Sequence, residues 1–243
     1  DGYTIGIAAV ATHAINPWLF SKRPFNAATD FAAITQMVRV PNVLVMNVDT
    51  AQRLKINSLA DLIAYAKANP GKLNYATAGI GSATHLSMAY FNSMAGIDIV
   101  HVPLKATGEA INEVISGRAH AVIAANIGAL AFAKDSRIRL LGVTSPKRSK
   151  FLPDLPTLAE SGLPGYQFDS WLGLLGPAAI PAAEANRIQA AVSRLLKDPV
   201  ILERLDKQGI EPQILSNADF GKLLATDYQR MASVVKASGA KVE

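Results

Sequence analysis

The stretch Leu73-Asn74-Tyr75-Ala76-Thr77-Ala78-Gly79-Ile80-Gly81-Ser82-Ala83-Thr84-His85 decides the fold. Leu73–Thr77 is a short strand, and the glycine turn Gly79–His85 leads into a helix with Leu86, Tyr90 and Met94 on one face. Gly96 ends that helix as a C′ residue. Upstream, Ser58 with Asp61 reads as a helix start, Leu59, Leu62, Ile63 and Ala66 follow at helical spacing, and Asn69-Pro70-Gly71 stops the run. Downstream, Ile99–Pro103 is a strand. Ala110, Ile111, Val114 and Ile115 mark a helix closed by Gly117, and Ala121–Ala124 is another strand. Strands and helices alternating at this spacing predict a parallel sheet covered by helices.

Two apolar runs flanked by Pro and Gly, Val40–Val48 and Phe168–Leu175, read as crossover strands between two lobes. The expected division is 1–45 with 170–243 for the first lobe and 46–169 for the second, with a hinge and a ligand cleft between them. The C-terminal third is helical. Residues 182–197 form one helix, Asp198-Pro199 starts a second, and Ser216 with Asp219 opens a last long one.

Hydrophobic residues make up 50% and charged residues 18% of the 243 positions, a balance that supports a packed core. No apolar run reaches the ~18–20 residues that span a bilayer. No basic-then-apolar leader opens the sequence, so a signal peptide is not expected within it. Asp1-Gly2-Tyr3 reads as a turn into the apolar run Ile5–Val10, as if after an earlier strand. The absence of cysteine excludes disulfides and thiolate metal sites. A net charge of +5 favours anionic partners, but the basic residues are dispersed. The densest cluster, Lys147-Arg148-Ser149-Lys150, lies in a Pro-rich loop and reads as solvated, so nucleic acid is not an expected partner.

The glycine turn follows a strand and opens a helix, where bare backbone N–H groups and the helix dipole suit a carboxylate or phosphate. Gly79 and Gly81 would allow close approach, and Ser82 and Thr84 offer hydroxyls; a plain N-cap at Ser82 fits the spacing equally well. A dinucleotide fingerprint would need glycine at Thr84, and a P-loop would need a lysine in the turn. A nucleophile elbow at Ser82 would also want glycine at Thr84, and His85 is too near in sequence to serve as its base. The histidines His13, His85, His101 and His120 show no ligand spacing, so no metal and no cofactor is expected. Lys105 and Asn126 each follow a parallel strand, at the end where ligands bind in such sheets. Thr107 reads as a helix cap, and Trp171 as a core aromatic or a cleft wall.

Thr12-His13-Ala14-Ile15-Asn16-Pro17, Asp30-Phe31-Ala32 and Val40-Pro41-Asn42-Val43-Leu44-Val45 resemble the tripartite tricarboxylate receptor family, also called Bug proteins. So do Asn69–Ala76, the Gly79–His85 turn, Val143-Thr144-Ser145 with Arg148-Ser149, Leu155-Pro156-Thr157 through Gly162–Tyr166, and Trp171–Leu175. The match runs the length of the chain. It implies a two-lobed periplasmic-binding-protein-like α/β fold of type II, each lobe a mostly parallel sheet flanked by helices. It further implies a monomeric periplasmic solute-binding protein, not an enzyme, that closes over a small carboxylate and serves a membrane transporter. Gly79, Gly81, Ser82, Ala83, Thr84 and His85 would hold the carboxylate from the second lobe. Thr12, His13 and Asn16 would face it from the first, with Lys105, Asn126 and Trp171 around the site. The family usually has a signal peptide, a strand, a glycine-rich loop and a helix ahead of the position of Asp1, and those supply half of the clamp. It often has Tyr-Lys-Gly where this chain has Leu104-Lys105-Ala106, and an acidic residue at Ala125, so the resemblance implies no carboxylate there for an ammonium ligand. A hydrolase built on Ser82 and His85 is the alternative.

Overall fold

A computed structural model describes residues 4–125, 130 and 135–240. The chain forms two compact units, Asp1–Val40 with Ser170–Glu243, and Pro41–Asp169. The first unit opens with β1 (Gly6–Ala9), a π-helical turn over Ala11–Ile15, α1 (Asn16–Leu19) and β2 (Phe31–Val40). The second contains β3 (Asn42–Asn47), α2 (Val48–Arg53), α3 (Leu59–Ala68), β4 (Asn74–Thr77) and α4 (Ala83–Ala95). It continues with β5 (Val100–Pro103), α5 (Thr107–Ile115), β6 (Ala121–Ala125) and β7 (Ile138–Val143). The first unit resumes with β8 (Ser170–Pro177), α6 (Ala182–Leu195), α7 (Pro199–Lys207), β9 (Glu211–Pro212) and α8 (Asn217–Ser238).

In the second unit the strand order is β5-β4-β6-β3-β7. β4 pairs parallel with β5 and β6, as the alternating pattern predicts, and α4 and α5 are the crossovers. β3 runs antiparallel to both β6 and β7. Its first residue, Asn42, lies opposite Ala125 at the end of β6, so a chain entering there has to run backwards. Val43, Leu44, Val45 and Met46 are all buried, which is why this strand is an unbroken apolar run. The capping box at Ser58 and Asp61 forms as expected: Asp61 N–H donates to Ser58 Oγ at 3.2 Å, and Ser58 N–H donates back to the Asp61 carboxylate at 3.0 Å.

Neither sheet is the mostly parallel one expected for each lobe: that of the second unit is mixed, and the first unit departs further. Its order is β1-β8-β2-β9, and every neighbouring pair is antiparallel. β1 and β2 point the same way and are linked through the helical turn, but β8 is inserted between them in the opposite sense. Ser170 pairs with Val40 at the end of β2, so β8 also enters at the carboxyl end of its neighbours. Ile34, Leu174, Ile180 and Ala185 form the core between this sheet and α6.

The apolar run Val40–Val48 is not one crossover strand. It breaks at Pro41 into the end of β2 and the whole of β3, and Val48 already belongs to α2. A proline cannot donate to a ladder, so the chain changes units there rather than at residue 45. The two passages are tied together inside the second unit. Thr144 Oγ1 donates to Phe168 O at 2.6 Å, Asn42 Nδ2 donates to the same carbonyl at 3.2 Å, and Asn42 N–H donates to Thr144 Oγ1 at 3.2 Å.

Candidate functional site

The glycine turn lies where the sequence predicts, between the end of β4 and the start of α4. Gly79 has φ of +106° and Gly81 has φ of +76°, values that L side chains rarely adopt. A Cβ at Gly79 would also sit 3.2 Å from the carbonyl of Leu104, so the turn rests against the carboxyl end of β5. Ser82 is the N-cap, its Oγ accepting the His85 N–H at 3.2 Å.

Most of the donors the sequence offers to a ligand are used inside the turn. Gly79 N–H donates to Thr77 Oγ1 at 3.2 Å, and Gly81 N–H donates to His85 Nδ1 at 3.1 Å. Ala78 N–H donates to Thr84 Oγ1, the Ser82 hydroxyl donates to Gly79 O at 2.7 Å, and the two hydroxyls lie 2.9 Å apart. The Gly79 and Gly81 N–H groups and the Ser82 and Thr84 hydroxyls therefore shape the loop rather than point outward. The N–H groups of Ala83 and Thr84, the first two positions of α4, have no protein acceptor among the described residues. These are the orphan donors at the positive end of the helix.

Two imidazoles brace the turn. His85 stacks on His101 of β5 with ring centroids 4.0 Å apart and planes 14° from parallel. His101 Nε2 lies 2.7 Å from Thr77 Oγ1, and its ring also stacks on Tyr75 at 5.2 Å. Burial, then repulsion from His101, lowers the His85 pKa to about 4. Burial lowers that of His101 as well. His85 is thus neutral at pH 7, and an Nδ1 that accepts from Gly81 places its proton on Nε2. No imidazole nitrogen of His85 bonds the Ser82 hydroxyl, so the pair is not a nucleophile with its base.

Lys105 follows β5 beside the turn and is exposed, its N–H on the Glu109 carboxylate at 3.1 Å. Thr107 is not the cap of α5; Ala106 holds that position and Thr107 is the first helical residue. Asn126 lies outside the described residues.

In the first unit, Thr12 and His13 sit on the π-helical turn, where the Asn16 N–H reaches back to Ala11 O. Thr12 Oγ1 lies 2.8 Å from His13 Nδ1 and caps the Ala9 backbone. The His13 ring stacks on Phe25 at 5.7 Å and meets the edge of Phe31 at 5.2 Å. Together with Phe31 and Tyr228 it lines a cavity of about 260 Å³. Thr12 and Asn16 line a separate one of about 300 Å³. Trp171 is a core residue, not a cleft wall. It is 3% exposed, its indole N–H donates to Asp227 at 2.7 Å, and its ring meets Phe220 edge-on.

Among the described residues no group of three or more His, Asp or Glu could hold a metal ion, and no helix is long and apolar enough to cross a membrane. Two α/β units exchanged twice by the chain, with bare helix amides beside the carboxyl ends of the parallel strands β4 and β5, fit a solute-binding protein. The particular family follows from comparison. The chain belongs to the tripartite tricarboxylate transporter receptor family, whose pattern matches residues 1–240. Protein BugT of Bordetella pertussis is 29% identical over 248 residues, spanning 100% of this chain and 74% of BugT. The structure of R. palustris Rpa4515 with adipate is 32% identical with a TM-score of 0.79, covering 100% of this chain and 80% of that one. MatC (Rpa3494) from Rhodopseudomonas palustris, with bound malate, is 25% identical with a TM-score of 0.72, covering 97% and 80%. The matched family is one of transporter receptors, and nothing in these comparisons favours the hydrolase alternative.

Proposed function

We propose that this chain captures a small mono-, di- or tricarboxylate in the periplasm, as a monomer, for delivery to a tripartite tricarboxylate transporter. One ligand carboxylate accepts the N–H groups of Ala83 and Thr84. The observation that carries this reading is that, among the described residues, these two donors of the helix start lack an internal acceptor while the Ser82 and Thr84 hydroxyls beside them are engaged. A carboxylate there gains charge-assisted hydrogen bonds and the favourable end of the helix dipole. The exposed Lys105 adds positive charge beside the turn. Two similar solved structures hold dicarboxylates, adipate and malate.

Ala83→Pro tests the donor directly. Proline is favoured at the first helical position, and Ser82 at φ −66° and ψ 160° suits the residue before it. The variant therefore keeps the fold but lacks one N–H. Calorimetric titration with adipate and malate should show binding by the parent chain and a loss of about tenfold or more in the variant, the effect of one charge-assisted hydrogen bond. Equal affinity in both proteins would refute the site, and no binding of any mono-, di- or tricarboxylate would refute the function.

A further inference from the structure

We propose that His101 is a positioning residue for the anion-binding turn, acting through Thr77 and His85 rather than by touching the ligand. The inference rests on the carboxylate reading above and deepens it. His101, on β5, joins strand, turn and helix. Its Nε2 meets the Thr77 hydroxyl, which accepts the Gly79 N–H; its face carries the His85 ring, which accepts the Gly81 N–H. The two left-handed glycines are thus each held through an imidazole, and the span between them aims the amides of Ala83 and Thr84.

The stack also controls where protons can go. A proton on His85 Nδ1 would set two donors head to head at Gly81 and place a cation against His101. The titratable groups on the surrounding elements do not relieve this. Tyr75 of β4 stacks on His101 and is itself held protonated by burial. β6 carries none, and on α5 Glu109 takes the Lys105 N–H while Glu113 pairs with Arg118. The turn therefore keeps one hydrogen-bonded form across the neutral range, whereas an unstacked, solvated His85 would titrate near its ordinary value of about 6.5.

His101→Leu removes the stack and the Thr77 contact. Beyond the titration of adipate itself, the affinity of the parent chain should be flat from about pH 8 to about pH 6, while His101→Leu binds about fivefold more weakly and its acid loss of affinity sets in at a higher pH than in the parent, because the repulsion from His101 is gone while the burial of His85 remains. His101→Phe, which keeps a ring against His85 but not the Thr77 contact, should retain more of the affinity than His101→Leu. Ligand-free nitrogen-15 spectra supply a second readout. The parent chain should show the His85 Nε2–H tautomer and a slow Gly81 amide, and exchange of that amide should quicken about tenfold or more in His101→Leu and in the gentler Thr77→Val. An unaltered Gly81 amide and His85 titration in both variants would overturn the proposal. If no carboxylate binds the parent chain, the functional reading fails while the spectra still decide the role of His101. If adipate binds and neither its affinity nor its pH profile changes in His101→Leu, the positioning role is refuted and the carboxylate site stands.

Discussion

Replacing His85 by Asn should make the second unit markedly less sensitive to acid. Asn Oδ1 can stand in for Nδ1 as acceptor for the Gly81 N–H but cannot titrate in this range. In the folded protein the His85 pKa is lowered from 6.5 to about 4. Between those values the unfolded chain binds a proton that the folded one does not, so stability falls as pH drops through this window and is undiminished above it. At 1.36 kcal/mol per pKa unit the loss approaches about 3 kcal/mol at pH near 4. Both tryptophans, Trp18 and Trp171, lie in the first unit, so their fluorescence is blind to this event. Native-state hydrogen exchange of peptides from 41–169, at pH about 7 and about 4.5, reports it directly. The parent chain should lose about 2–3 kcal/mol of opening free energy more than His85→Asn over that interval. Equal losses in the two proteins would mean that His85 is protonated in the folded state at mildly acid pH, and the neutral stacked pair would have to be abandoned.

Two further outcomes concern the first unit. Gly173→Ala on β8 would place a methyl group on the Phe220 ring, which is fully buried. Such overpacking should destabilise this unit by about 1–3 kcal/mol, read from tryptophan fluorescence in urea. Asp227, 2% exposed, accepts from the Trp171 indole and at 2.6 Å from the Arg230 guanidinium. Its pKa is raised by burial against the opposing pull of Arg230. Asp227→Ala should cost about 3 kcal/mol or more and shift Trp171 emission to the red, and an unchanged urea midpoint would show that the network is dispensable.

The helix start that carries the proposed site was legible in the sequence, its contacts less so. The spacing of Gly79, Gly81 and Ser82 located a helix start after a parallel strand, because turn conformation and capping are local properties. Which donors remain available was hidden, since the acceptor for Gly81 is a side chain on the next helical turn and that side chain is held by His101 on another strand. His101 itself gave no signal: a lone histidine in a strand resembles a core residue until its neighbours are known. Trp171 carried both of its meanings until Asp227 and Phe220 were found against it.

What the sequence determined alone were the elements whose information is local. The capping box at Ser58, the caps at Ser82, Asp198 and Ser216, the Gly96 stop and the β4-α4-β5-α5-β6 alternation all appear in the structure. Only tertiary structure decided the rest. β2 escaped notice because bulges between Ala33 and Thr35 and between Gln36 and Val38 break its alternation, and β7 because Arg139 and Gly142 interrupt its apolar run. The reversed directions of β3 and β8 follow from where the chain re-enters each sheet. No residue pattern within a strand encodes that, because strand direction is a property of connection and pairing, not of the strand's own side chains.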